Sequence, residues 1–225
     1  MAKLSRSGSY LLFDCPGQVE VFTHQESLYR IFGKLSSEHS ARLCVVSLID
    51  SIYLTSASQY ISITLLSLRS MLQLGLPQIN VISKIDKLAE YNSLEFPLDF
   101  YVKVQDLQLL LPKIESELDR RLGGNFMKLT ECIADMVEDF GLVTYEVLAV
   151  EDKQSMINLL EKIDQTNGYI HGTSEIGGDS VWHDASRVRL HNKEDVTLQE
   201  RWIDHKAHYD ALPQTEMFDH LKEHD

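Results

Sequence analysis

Leu76-Pro77-Gln78-Ile79-Asn80-Val81-Ile82-Ser83-Lys84-Ile85-Asp86 is the stretch on which the fold turns. Ile79 to Ile82 is a short apolar run of the kind a sheet buries on both faces, and it breaks into a polar turn at Ser83-Lys84-Ile85-Asp86. Upstream, Tyr60 to Leu74 is apolar at helical spacing, with Ile61, Leu65, Leu68 and Leu72 on one face and Ser56 or Ser58 as its cap. So wide an apolar sector predicts a helix covered on more than one side. Gly75 stops it and Pro77 seals the stop.

The same alternation continues outward. Toward the amino terminus, Leu43 to Ile49 has the β-branched content of a second buried strand and ends at Asp50, Gln25 to Ser36 has the helical spacing Leu28, Ile31, Phe32, Leu35, and Tyr10 to Phe13 reads as a buried strand entering the turn Asp14-Cys15-Pro16-Gly17. Toward the carboxyl terminus, a helical insertion is expected at about 88–140. Thr144 to Val150 is a fourth strand, and Asp152 to Asn167 a closing helix with Met156, Leu159, Leu160 and Ile163 inward and Gly168 as its stop. Strands alternating with helices predict a three-layer α/β/α domain over 10–170 with a mostly parallel sheet. Such sheets bind ligands at the carboxyl ends of their strands.

From residue 171 the composition changes: 171–225 holds seven of the nine histidines and 12 acidic against 6 basic residues. This is an acidic, His-rich tail, in which Trp202 and Ile203 could dock a short helix back on the domain. His205 and His208 lie at helical spacing but have no closing ligand set, so a solvated face outweighs a metal site.

The whole chain of 225 residues carries 21 Lys+Arg, 34 Asp+Glu and a formal charge of −13. A surface of that sign repels phosphate backbones, which argues against direct nucleic-acid binding. Cys15, Cys44 and Cys132 are widely spaced with no CxxC, so a reducing, intracellular compartment fits best. No run approaches the roughly 18 apolar residues of a membrane span, and a soluble protein is expected.

Two strand ends carry chemistry. Asp14-Cys15-Pro16-Gly17-Gln18 resembles the DxxG element of P-loop GTPases. There Asp14 can hold Mg²⁺ through water, Gly17 can bring a backbone N–H to a terminal phosphate, and the Gln18 carboxamide can orient an attacking water. Alone, DxxG arises by composition about once in a chain this long, so an ordinary strand-to-turn junction competes with it. Cys15, beside it, is better read as a small hydrophobe than as a reactive thiol. Ser83-Lys84-Ile85-Asp86 resembles the [NTS]KxD guanine-recognition element. The Asp86 carboxylate can accept from guanine N1–H and N2–H where adenine offers no such pair, and Lys84 can lay its methylene stem over the base; alone, the pattern arises by composition in roughly one chain in ten, so an ordinary surface Lys/Asp pair competes with it. Taken together, in this order and each at a strand end, the two elements point to a GTP site.

The resemblance narrows further. Phe13-Asp14-Cys15-Pro16-Gly17-Gln18-Val19-Glu20, the run Ser58-Gln59-Tyr60-Ile61-Ser62 and the stretch Leu76 to Asp86 are similar to the GPN-loop GTPases, and Glu200-Arg201-Trp202-Ile203-Asp204 extends the likeness into the tail. Val147-Leu148-Ala149-Val150-Glu151-Asp152 resembles that family's last nucleotide-side loop, where a backbone N–H near Ala149 would approach the guanine carbonyl. The resemblance implies a P-loop NTPase-like fold, binding and slow hydrolysis of GTP with Mg²⁺, and dimers with itself or sister GPN-loop GTPases. It also implies a role in assembling RNA polymerase II and III before nuclear import, hence a cytoplasmic protein that shuttles to the nucleus, with no membrane partner.

These residues contain no GxxxxGK[ST] and no Gly-Pro-Asn. Those elements supply the amide cradle, the phosphate lysine and the Mg²⁺-binding hydroxyl. The resemblance places both before Tyr10, which makes this an N-terminally truncated domain, and places the strand leading into the phosphate loop between those ending at Asp14 and Asp50. Facing that vacancy, the isolated chain is expected to fold poorly or aggregate. The alternative to a working GTPase is a nucleotide-incompetent form that serves only in dimerisation or assembly, or an incomplete gene product.

Overall fold

A computed structural model describes residues 10–18, 26–39, 41–91, 94–117, 123–168 and 198–211. Its centre is an all-parallel three-stranded sheet of β1 (Val45–Asp50), β2 (Gln78–Ser83) and β3 (Tyr145–Leu148), in the order β1-β2-β3. Register pairs Leu48 with Val81 and Asp50 with Ser83 on one side of β2, and Ser83 with Leu148 on the other. The three strands therefore end level, and the polar turns that follow them lie along one rim of the sheet.

Helix α1 (Glu26–His39) precedes β1 and α2 (Ala57–Leu74) joins β1 to β2. Between β2 and β3 run α3 (Leu98–Lys103), α4 (Leu111–Glu117) and α5 (Gly123–Phe140); α6 (Lys153–Asn167) follows β3, and α7 (Lys206–Ala211) lies in the tail. The strand period of two sends Ile49, Ile82, Tyr145 and Val147 to one face, where they pack in the main core with α2 to α5, and Ile79, Val81 and Leu148 to the other, where Leu159 and Ile163 of α6 cover them. Layers on both sides make the α/β/α sandwich that the alternating pattern predicts.

Helix α2 is capped at both ends as its sequence dictates. The Ser56 hydroxyl accepts from the Gln59 N–H, and Gly75, at φ 58°, donates its N–H to the Met71 carbonyl at 3.1 Å. Its cover is one-sided, however: Tyr60, Ile61, Thr64 and Leu68 are buried, while Leu72 is exposed beside an apolar groove shared with Met136 and Phe140. Buried hydroxyls are satisfied in place, since Tyr60 donates to the Tyr101 carbonyl at 2.8 Å and Thr64 to the Tyr60 carbonyl at 2.8 Å.

Three sequence expectations are corrected. Tyr10–Phe13 is not a strand, and its side chains are exposed, Leu12 to 89%. A strand exists through backbone hydrogen bonds to a neighbouring strand, and among the described residues no strand is paired with this run. β1 is not buried on both faces: Val46 and Leu48 are 36% and 60% exposed, because α6 covers β2 and β3 and stops short of β1. For the same reason Met156 and Leu160 of α6 point to solvent while Leu159 is buried.

Candidate functional site

The rim of the sheet is built from side chains that tie one strand end to the next. Ser83 closes β2 and donates its hydroxyl back to the Ile49 carbonyl of β1 at 2.8 Å. Buried Ser51 donates to the Lys84 carbonyl, also at 2.8 Å. Lys84 takes a left-handed conformation, φ 57°, which turns the chain sharply off the sheet into a 3-10 turn over Ile85–Glu90. Ile85 and Leu88 are buried beneath that turn, so Asp86 between them is held at the surface.

Lys84 extends over the rim to Asp50, Nζ to Oδ2 2.5 Å. Partial burial works against the Asp50 charge, but the bonds from Lys84 and from the Ile52 N–H outweigh it and hold the carboxyl below the ordinary carboxylate range. The same pair raises the Lys84 ammonium, first through the hydrogen bond and then through the charge. The Asp86 carboxylate is half-buried and has no hydrogen-bond or ion-pair partner among the described residues.

The loop after β3 is organised by Ser155. Its buried hydroxyl donates to the Ala149 carbonyl at 2.7 Å and accepts from the Ala149 N–H at 3.2 Å. Asp152 caps α6 by accepting from the Ser155 N–H at 2.8 Å, and its own N–H bonds to the Ala149 carbonyl at 3.0 Å. The Ala149 N–H is thus engaged within the loop, and the accessible residue beside it is Val150.

Asp14, Gly17 and Gln18 are exposed in an irregular segment, and no hydrogen bond or ion pair among the described residues joins them to Ser83, Lys84, Asp86 or Ala149. Ser83, Lys84, Asp86 and Ala149 follow strand ends that lie level along one rim, and Asp14, Gly17 and Gln18 make no bond to them among the described residues. A Cβ built on Gly17 would meet nothing within 4 Å, so the chain's own packing does not demand glycine there. Among the described residues no group of three or more His, Cys, Asp or Glu could cage a metal. A single exposed carboxylate at Asp14 still suits Mg²⁺, which is held by one or two carboxylates with phosphate oxygens and water completing its octahedron.

Several residues of this rim escaped the sequence reading. Ser51 carried no signal. Asp50, as the polar end of an apolar strand, and Asp152, three residues before Ser155 in a cap pattern, were both visible.

The whole arrangement sits where open parallel sheets bind ligands. A family model described as "Conserved hypothetical ATP binding protein" matches residues 1–169. The chain is 55% identical over 217 residues to GPN-loop GTPase 2 of Saccharomyces cerevisiae, covering 96% of this chain and 62% of that protein. It is 46% identical to GPN-loop GTPase 2 of Schizosaccharomyces pombe, covering 90% and 63%, and 42% identical to GPN-loop GTPase QQT1 of Arabidopsis thaliana, covering 72% and 53%. The chain belongs to the GPN-loop GTPase family. It spans less than two thirds of the length of these GPN-loop relatives. The family model ends before the segment 198–211, whereas the match to the Saccharomyces GPN-loop GTPase runs through it.

Proposed function

We propose that this chain is the base-reading part of a GTP-hydrolysing GPN-loop GTPase. The observation that carries the reading is the Ser83–Asp86 turn: a half-buried Asp86 carboxylate with no partner among the described residues, beside Lys84 at the carboxyl end of the central strand. The name of the matching family model says ATP, while the relatives' names say GTPase. The chemistry of Asp86 favours guanine, because a carboxylate accepts from N1–H and N2–H and adenine presents an acceptor at the first of these positions. In this reading Asp14 meets Mg²⁺ through water, Gly17 meets a terminal phosphate and Gln18 orients the attacking water once a triphosphate gathers them.

The family likeness supports assigning the protein to dimers with itself or sister GPN-loop GTPases, to assembly of RNA polymerase II and III, and to movement from cytoplasm to nucleus. A second reading, a partner in dimerisation or assembly that turns over no nucleotide, is favoured by Asp14, Gly17 and Gln18 lying exposed in an irregular segment with no bond to the rim among the described residues.

Titration of a fluorescent GTP analogue with Mg²⁺ tests the choice. Micromolar binding that Asp86→Ala abolishes, and that Asp86→Asn redirects toward xanthine nucleotide, is the expected result; no binding at millimolar nucleotide supports the second reading instead.

A further inference from the structure

The C-terminal segment 198–211 is anchored to both loops that follow β2 and β3. Trp202 is 4% exposed and sits in the main core, with Leu198 and Ile203 packed beside it. Gln199 supplies a cap that α3 lacks, its Oε1 accepting from the Leu98 N–H at 2.9 Å. Two cations then reach the rim. Arg201 pairs with Asp152 at 3.2 Å, the same carboxylate that caps α6 and whose N–H closes the Ala149 turn. Lys206 donates through Nζ to the backbone carbonyl of Asp86. Arg201 is itself held in place, since its guanidinium lies 4.3 Å from the centre of the Trp202 ring and bonds Asp210 at 2.9 Å.

We propose that Arg201 and Lys206 are positioning residues for base recognition, setting the distance between Asp86 and the Ala149–Asp152 turn. The inference rests on the reading of Asp86 as the base acceptor given above. The physical argument is one of restraint. Each loop is a short turn with one exposed side, and neither has a direct hydrogen bond to the other among the described residues. A buried aromatic anchor carrying one cation to each turn makes them move as one body. Arg201 suits the first contact because its planar fork can bond two carboxylates at once, and Lys206 suits the second because a backbone carbonyl needs one donor on a long stem.

The test uses the full chain with Arg201→Ala, Arg201→Lys and Lys206→Met. Lys206→Met keeps the stem and leaves Trp202 docked. The first readout is amide hydrogen exchange of residues 84–91 and 148–153 without nucleotide; both stretches should exchange faster in Arg201→Ala and Lys206→Met, with partial recovery in Arg201→Lys. The second is the ratio of GTP to ITP affinity, because ITP lacks the 2-amino group and is otherwise the same ligand. Loss of positioning should shrink that ratio by about tenfold, whereas a general loss of structure lowers both affinities alike. Unchanged exchange in both loops, or an unchanged ratio, overturns the proposal. A wild-type chain that binds neither nucleotide sinks the base-reading function and with it the positioning role, while the exchange result still reports whether 198–211 restrains the loops.

Discussion

At the residue scale, the rim depends on polar side chains that satisfy one another before any ligand arrives. Ser155 both donates to and accepts from Ala149, which holds the turn after β3 closed and takes the N–H that the sequence offered to a guanine carbonyl. Asp50 and Lys84 form a charge-assisted bond across β1 and β2. Because Asp50 sits below its ordinary value in the fold, its contribution is present above the usual carboxylate range and is lost as pH falls through the lowered value. Asp50→Asn keeps an equally good cap for the Ile52 N–H and removes only the charge. Urea midpoints of Asp50→Asn and wild type should therefore differ most at about pH 7, and the difference should shrink as pH falls below the ordinary carboxylate range; a difference that does not shrink at all in acid would show that the pair is not its source.

At the element scale, helix ends decide how the insertion between β2 and β3 is held. Glu117, the last residue of α4, lies across the amino terminus of α2 and accepts from the Ser56 hydroxyl, the Ala57 N–H and the Ser58 N–H at 3.0 to 3.1 Å. Partial burial would raise this carboxyl, but those bonds, with that of the Ser58 hydroxyl, hold it below its ordinary range. Glu117→Gln should cost about 1 kcal/mol, the size of a helix cap, with solvent keeping the charge contribution small. The loss should appear in urea denaturation near neutral pH and vanish in acid, where wild-type Glu117 is protonated too. Helix α1 shows the opposite case: its spacing makes it a helix, yet Ile31 is exposed and Leu28, Phe32 and Leu35 are only half-buried. Periodicity established the element, and nothing in its own residues says how thoroughly it is covered.

At the scale of the whole molecule, the sheet is asymmetric. Most of the core lies on the α2–α5 side, and on the other side α6 leaves Val46 and Leu48 of β1 open at the sheet's edge. An apolar edge strand whose outer backbone groups pair with no strand among the described residues invites pairing between chains. Sedimentation velocity should show association that grows with concentration, and Leu48→Lys should suppress it without lowering the unfolding midpoint; a chain monomeric at high concentration would contradict this. Much of this architecture was legible in local pattern. The apolar runs at Leu43–Ile49 and Ile79–Ile82, the stops at Gly75 and Gly168, and the polar turn Ser83–Asp86 all follow from the preferences of a few neighbouring residues, which is why the strand–helix order and the turn that ends β2 could be read directly. Burial could not be read that way. Tyr10–Phe13 and Leu48 belong to apolar runs like that around Val81, but of these residues only Val81 is covered, packed with Leu148 and Leu159 on the α6 side, and cover is a property of the assembled layers. Nor could the sequence bring Arg201 to Asp152 or Lys206 to Asp86, separated by 49 and 120 positions. Those meetings are set by where Trp202 finds room in the core, a packing outcome that no local spacing encodes.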